Sequence, residues 1–354
     1  MKFLHCADIH LGSKMEAKLP KDKSDERKLE LRAAFDRMTD YARKNGVTAI
    51  LLSGDVFDCD RPLKRDKDYF YGAVRSNPDI DFLYLRGNHD VLESYTEYGL
   101  KNLKTFSDEW TAYKYGDTVV WGIESVKSNA SAMYSALKPD KTKKNIVMLH
   151  GQIGDANGVY KINLTKLRNK HIDYLALGHL HTFSDGELEE RGKYVYPGCL
   201  EGRGFDELGV KGFVELDVTE SGVEYKFVEN SQRVVCEMDV DISDADDLYA
   251  ACKKAKGLIS CGKKDMLRIN LTGDVSFDCD GIERELEKMS SRDCFFVTVK
   301  NKTFRKFDVD AVKGDISLRG EYIRTVLGSD GYTDEQKQRM ISVGLKALGG
   351  REVE

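Results

Sequence analysis

Long apolar stretches are missing from this 354-residue chain, whose runs reach only about seven residues before a charge or glycine interrupts them. A membrane-spanning helix needs about 20. The opening MKFLHCAD has no apolar leader core, so a cytoplasmic protein with no membrane partner is expected. Proline, glycine and glutamine tracts and internal repeats are absent too, which leaves no signature of a disordered segment or a solenoid. The eight cysteines (Cys6, Cys59, Cys199, Cys236, Cys252, Cys261, Cys279, Cys294) contain no C-x-x-C pair, a pattern that fits reduced structural thiols rather than a zinc or disulfide framework. Nor is there an excess of positive charge. The formal net charge of -5 argues against a chain held on nucleic acid by bulk charge alone, although metals in an acidic site would reverse its local field and leave a DNA substrate open.

What is present is an ordinary globular composition, 41% hydrophobic and 32% charged, at a length that suggests two or three domains. Short apolar runs recur with helix-like segments between them: KFLHCA (2–7), TAILLS (48–53), DFLYLR (81–86), NIVMLH (145–150) and YLALG (174–178). Runs of this kind predict strands buried on both faces of a sheet in an α/β fold. A helix is predicted over 25–44, with Leu29, Ala33, Phe35 and Met38 near helical spacing.

The residues just past each run carry the chemistry. The five strand ends lead into Asp8 and His10, into Gly54-Asp55 with Asp58, into Gly87-Asn88-His89-Asp90, into His150-Gly151, and into Gly178-His179-Leu180-His181. Ligands of open α/β sheets bind beyond the carboxyl ends of the strands, so these side chains can meet at one place. A buried core histidine explains any one of them, but not five of the seven histidines at successive strand ends. Asp8, His10, Asp55, Asn88, His150, His179 and His181 offer oxygen and imidazole nitrogen without thiolate, a set suited to Mn, Fe or Zn and less to Mg. Seven ligands are too many for one catalytic ion with an open position, and two ions sharing a carboxylate account for the number. His5, inside the first run, reads as core, and His171 as surface.

The ordered set D-x-H, G-D-x-x-D, G-N-H-D, H-G and G-H-x-H resembles the calcineurin-like metallophosphoesterase superfamily. That resemblance implies a sandwich of mixed β-sheets flanked by helices, with one divalent ion on Asp8, His10, Asp55 and His181 and a second on Asp55, Asn88, His150 and His179. Manganese is the first expectation, with Mg, Fe or Zn as alternatives. His89 would assist the leaving oxygen, and Asp58 would orient His89, or else serve only as a helix N-cap. Asp90 is either a support for a ligand histidine or a loop cap.

Two further stretches, FLHCADIHLGS and YPGCLEGRGFDELGVKGF (196–213), resemble the SbcD DNA exonuclease family. The expected organisation is a nuclease domain over 1–230, a small α/β capping domain over 231–312, and a helical segment over 313–354 with a capping box at Thr333 and Gln336 and a stripe of Ile341, Leu345 and Leu348. The resemblance implies a Mn-dependent exonuclease and endonuclease acting on DNA ends and hairpins. Its partner would be an SbcC-like SMC-type ATPase docked through the C-terminal helices, and the chain would pair as a homodimer. Arg61, with Lys64, Arg65, Lys67 and Arg75 interleaved with Tyr69, Phe70 and Tyr71, would track phosphates or form a solvated helix face. Arg203 would contact a phosphate. The alternatives are a small-molecule phosphodiesterase or phosphatase of the same superfamily, and a weakly active adaptor that docks an ATPase to DNA.

Overall fold

The computed structural model describes residues 1–15, 19–59, 61–90, 99–155, 158–189, 191–305 and 315–348. The chain folds as two compact units, Met1–Val235 and Cys236–Glu354. The domain boundary expected at 312 lies outside the described residues.

All five apolar runs are strands: β1 (Lys2–Cys6), β2 (Ala49–Ser53), β3 (Asp81–Leu85), and, further on, Lys144–His150 and Tyr174–Gly178. They do not share one sheet. With β4 (Leu103–Thr105), β5 (Thr111–Tyr115), β6 (Thr118–Gly122), β7 (Lys144–His150), β8 (Tyr174–Gly178), β9 (Ser184–Glu187), β10 (Lys193–Tyr196), β11 (Gly212–Val218) and β12 (Val223–Glu229), the first unit forms two six-stranded sheets. Their orders are β12-β11-β1-β2-β3-β4 and β9-β10-β8-β7-β6-β5. The ladders joining β1, β2, β3 and β4, and those joining β6, β7, β8 and β10, are parallel, and the remaining pairs are antiparallel.

Strand side chains alternate between faces. Phe3, Leu51 and Leu83 of the first sheet therefore pack on Ile146, Met148, Tyr174 and Ala176 of the second. The opposite face of the first sheet, with Leu4, Ile50, Leu52, Phe82 and Tyr84, is covered by helices α1 (Lys21–Lys44) and α2 (Lys64–Arg75). Each fully buried side chain of this size stabilises by about 1.5–3 kcal/mol. A strand that is apolar on both faces fits either sheet, which is why the runs alone do not reveal that there are two.

The stripe of α1 differs from the expected one. Leu29 is 65% exposed, and the buried face is Leu31, Ala34, Phe35, Met38 and Ala42 with Arg27 and Glu30 beside them. Two buried charges, paired with each other and with residues far along the chain, rotate the inward face away from the one that apolar spacing suggests.

The second unit holds a three-stranded sheet in the order β13 (Val235–Asp241), β14 (Met266–Thr272) and β15 (Phe296–Asn301). Helices α3 (Leu248–Gly257) and α4 (Ile282–Ser290) share its core of Ile269, Leu271, Ala251, Ile282 and Leu286. Helices α5 (Leu318–Leu327) and α6 (Asp334–Leu348) meet through Ile323, Val326 and Ile341, with Leu345 against them, while Leu348 is 45% exposed.

The Thr333 amide donates to Gln336 Oε1 at 2.8 Å and the Gln336 amide to Thr333 Oγ1 at 3.2 Å, a reciprocal capping box. Thr333→Ala is expected to remove about 1 kcal/mol of local helix stability. The check is hydrogen exchange at the Gln336 amide, which should quicken by roughly fivefold.

Candidate metal centre

Each expected ligand sits where a strand of the two sheets ends. Past β1 and β2 the chains stay paired, with Asp8 N donating to Gly54 O and His10 N to Asp55 O, both at 3.0 Å. Within that ladder the backbone turns left-handed at Asp8 (φ 51°), His10 (51°) and Asp55 (53°), and His179 has φ 106°. Each such non-glycine conformation costs on the order of 1–3 kcal/mol, and strain of this kind concentrates at functional sites. Glycines let the strand ends approach. A Cβ on Gly54, whose φ is +97°, would stand 2.1 Å from His150 Nδ1, and one on Gly178 would stand 1.9 Å from Ser53 O.

Two clusters result. Asp8, His10 and His181 bring their ligand atoms within 4.8 Å of one another, and so do Asp55, His150 and His179. In the first, the Nε2 atoms of His10 and His181 lie 3.2 Å apart and Asp8 Oδ1 is 3.9 Å from His181 Nε2. In the second, His150 Nε2 is 3.4 Å from Asp55 Oδ2 and 3.0 Å from Asn88 Oδ1, which is also 3.1 Å from His179 Nδ1. The same Asp55 accepts the His89 amide at its other oxygen, 2.8 Å away.

Hydrogen-bond partners fix which ring nitrogens are bare. His150 Nδ1 lies 2.8 Å from Ser53 O; a carbonyl only accepts, so the proton is on Nδ1 and the Nε2 lone pair points at Asn88 and Asp55. Glu207 Oε1, 2.7 Å from His181 Nδ1 and closer than Arg203 Nη2 at 3.2 Å, does the same for His181. Asp58 Oδ1 stands 3.1 Å from His10 Nδ1, at an angle too oblique for a well-aligned bond. When the rings are neutral, the bare Nε2 atoms of His150 and His181 therefore face oxygen and nitrogen atoms that also carry lone pairs. A divalent cation with oxygen and nitrogen ligands relieves that arrangement, so the side chains fit the ions that the donor chemistry implies.

The electrostatics agree. Burial pushes Asp8 up to about 6. Burial would also raise Asp55, but His150 and the His89 amide outweigh it and hold Asp55 at about 2. Burial alone would lower His150, yet Asp55 and Asp8 raise it to about 9. A cation bound between His150 and Asp55 would compete with the proton that this pairing favours on the imidazole.

Several expected roles are redrawn by these contacts. The Asp58 carboxylate accepts from Arg203 Nη1 at 2.7 Å and faces His10, and among the described residues no hydrogen bond joins it to His89. The exposed His89 instead sets its ring edge against His10, centroids 5.2 Å apart. Asp90 is a loop brace, accepting from the amides of Gly87 and Phe57 at 3.0 Å and of Val56 at 3.3 Å, which ties the third strand-end loop to the second.

Arg203 turns its guanidinium to Asp58, Glu207 and His181 Nδ1 and so is not held out towards solvent for a phosphate. Arg61 is exposed in the loop before α2. The aromatics interleaved with the neighbouring cations are structural, because Phe70 and Tyr71 are buried and the Tyr69 hydroxyl donates to Arg32 O of α1. His5 is core: its Nδ1 accepts from the Tyr174 hydroxyl at 2.9 Å, its Nε2 donates to Leu177 O at 3.1 Å, and burial lowers its pKa to about 3. His171 is exposed.

Glu207 is the residue that sequence reasoning missed. It is buried, and although burial would raise its carboxyl, His181 and Arg203 hold it below the usual carboxylate range. The only signal was its place in a stretch similar to the closing segment of a known catalytic domain, with nothing to mark it among neighbouring acids.

The sequence profile of the calcineurin-like phosphoesterases matches residues 1–183. The chain is 25% identical over 370 aligned positions to the DNA double-strand break repair protein Mre11 of Sulfolobus acidocaldarius, covering 97% of this chain and 94% of that protein. To the protein of the same name from Sulfurisphaera tokodaii it is 29% identical over 197 residues, covering 51% of this chain and 49% of that one. A shorter match, 32% over 94 residues, covers 25% of this chain and 22% of a subunit of the SbcCD nuclease of Rhodobacter capsulatus. The chain thus aligns with about half the length of one relative and nearly all of another. The profile ends just past His181, the last of the residues gathered at the strand ends, and the chain belongs to the calcineurin-like phosphoesterase family as a metal-dependent phosphoesterase.

Proposed function

We propose that the protein is a manganese-dependent DNA nuclease that cleaves phosphodiester bonds at DNA ends and hairpins, the nuclease subunit of an SbcCD-like complex. The observation that carries this reading is the extent of the Sulfolobus match: it runs over 97% of the chain, through the second unit and the helical hairpin, and not only through the phosphoesterase half. A small-molecule phosphatase has no need of that shared second half.

Asp8, His10, Asp55 and His181 would hold one ion, and Asp55, Asn88, His150 and His179 would hold the other. Two such ions supply Lewis-acid activation of water and of the phosphoryl group. The protein's own part is to orient the ligands, to exclude thiol chemistry, and to present His89 at the exposed rim, where its ring can give a proton to the departing oxygen. Helices α5 and α6 dock the SMC-like ATPase. Support for that comes from Ile316, Leu318 and Tyr332, apolar side chains left exposed beside the hairpin core. The active form is a homodimer in the cytoplasm. Among the described residues no helix is long and apolar enough to cross a membrane.

The test uses the purified full chain, stripped with chelator, on an end-labelled hairpin and a linear duplex. Manganese should restore cleavage of both, more strongly than magnesium does. Hydrolysis confined to bis-p-nitrophenyl phosphate or nucleotides, with both DNAs intact even beside the ATPase, would replace the reading with a small-molecule enzyme.

A further inference from the structure

The two clusters are supported differently. His150 takes its orientation from the backbone, through Ser53 O. His181 takes its orientation from side chains that belong to one short segment, residues 199–211. Glu207 Oε1 accepts from its Nδ1 at 2.7 Å, and the buried Lys211 Nζ donates to its carbonyl at 2.8 Å. Glu207 is itself pinned by Arg203, whose backbone amide donates to Oε2 at 2.6 Å while Nε and Nη2 donate to Oε1 at 2.9 and 2.6 Å. The remaining arm of the guanidinium, Nη1, reaches Asp58 at 2.7 Å, and Asp58 faces His10 Nδ1. The chain of contacts His181, Glu207, Arg203, Asp58, His10 therefore closes a ring around one cluster and leaves the other untouched.

We propose that Glu207, Arg203 and Asp58 are positioning residues for one of the two cations, Glu207 fixing the ring plane and bare Nε2 of His181 and Arg203 holding both Glu207 and the Asp58 charge that faces His10. The inference rests on the two-ion reading of the site. One guanidinium lies between two carboxylates in this ring, so its net charge is negative, which favours a divalent ion between the imidazoles. A carboxylate behind a ligand histidine is typically worth 10–100-fold in metal affinity. Because the ring does not reach His150, His179 or Asn88, its removal should weaken a single ion.

The experiment titrates the chelator-stripped full chain with Mn(II) alone by calorimetry, without nucleic acid. Wild-type protein should take two ions; if it does not, the two-ion reading itself fails, independently of Glu207. Glu207→Ala should raise the dissociation constant of one ion about 10–100-fold and leave the other within about twofold. Glu207→Gln should fall between, because its amide oxygen still accepts from His181 while the charge facing Arg203 is gone.

In a His181→Ala background the Glu207→Ala change should be silent, since residues acting through one another are not additive. Two ions bound as in wild type by Glu207→Ala, or an equal loss with and without His181, would overturn the proposal. Should Glu207→Ala lose its cooperative melt, Asp58→Asn enters the ring from the other end: weakening of one ion supports it, and unchanged binding of both overturns it.

Discussion

Asp55→Asn is expected to lower kcat/KM for phosphodiester hydrolysis by about 1,000-fold or more, on the order of 4 kcal/mol of transition-state stabilisation. One oxygen of Asp55 lies 3.4 Å from His150 Nε2 and the other accepts the His89 amide, so this carboxylate joins the ligand cluster to the loop that carries His89. Asparagine is the informative replacement. It tolerates the left-handed φ of 53° better than most residues do, and its amide oxygen can still take the His89 N–H. What it removes is the negative charge that Asp55 would offer to a cation. The check pairs steady-state kinetics at saturating manganese with a thermal melt, so that a folded, inactive protein is distinguished from an unfolded one. A fall of less than tenfold in the folded variant would take Asp55 out of the reacting site.

The parts of this site that could be read from sequence are those whose information is local. Each ligand comes within a few residues of its apolar run, so the strand and its cargo appear together, as in LALGHLH. The capping box at Thr333 and Gln336 was legible for the same reason, both partners being three residues apart. The pairing of the five strands into two sheets was not, because a run buried on both faces carries no record of its neighbours. Asp58 shows the limit of motif reasoning: its place in the G-D-x-x-D motif suggested His89 as its partner, and the fold supplies others, Arg203 and His10. Arg203 lies 145 residues from Asp58, and no periodicity or spacing predicts a contact at that separation. Glu207 is hidden for the same reason. The slipped stripe of α1 arose where apolar spacing met buried charge, since Arg27 and Glu30 are inside only because their partners are.

Arg27→Ala is expected to destabilise the first unit by about 3–5 kcal/mol, the cost of leaving buried charges without their partner. The melting temperature should fall by roughly 10 °C. Arg27 is 0% exposed. It donates to Glu201 Oε1 from Nη1 at 3.1 Å and from Nη2 at 3.2 Å, and it contacts Glu30 and Gly202 O as well. Glu201 also accepts the amide of Gln232 at 2.6 Å, and Arg233 Nε donates to Glu30 at 2.8 Å, so the cluster staples α1 to two later segments of the unit.

The pH dependence comes from Glu201. Burial raises its pKa, and Arg27 is the strongest influence holding it down. Without Arg27 the folded-state pKa rises further above the unfolded value. A group raised in the folded state supports folding fully below its unfolded pKa and progressively less as pH climbs through its folded pKa. The loss in melting temperature should therefore be larger at pH 8 than at pH 5; equal losses would mean that Glu201 is not left charged with only Arg37 as its ion-pair partner. Glu201 sits two residues before Arg203 and six before Glu207, in the segment that orients His181. The staple on α1 thus holds in place the segment whose Glu207 contacts His181, and if that segment positions an ion as proposed, the same substitution should weaken manganese binding at temperatures where the protein is still folded.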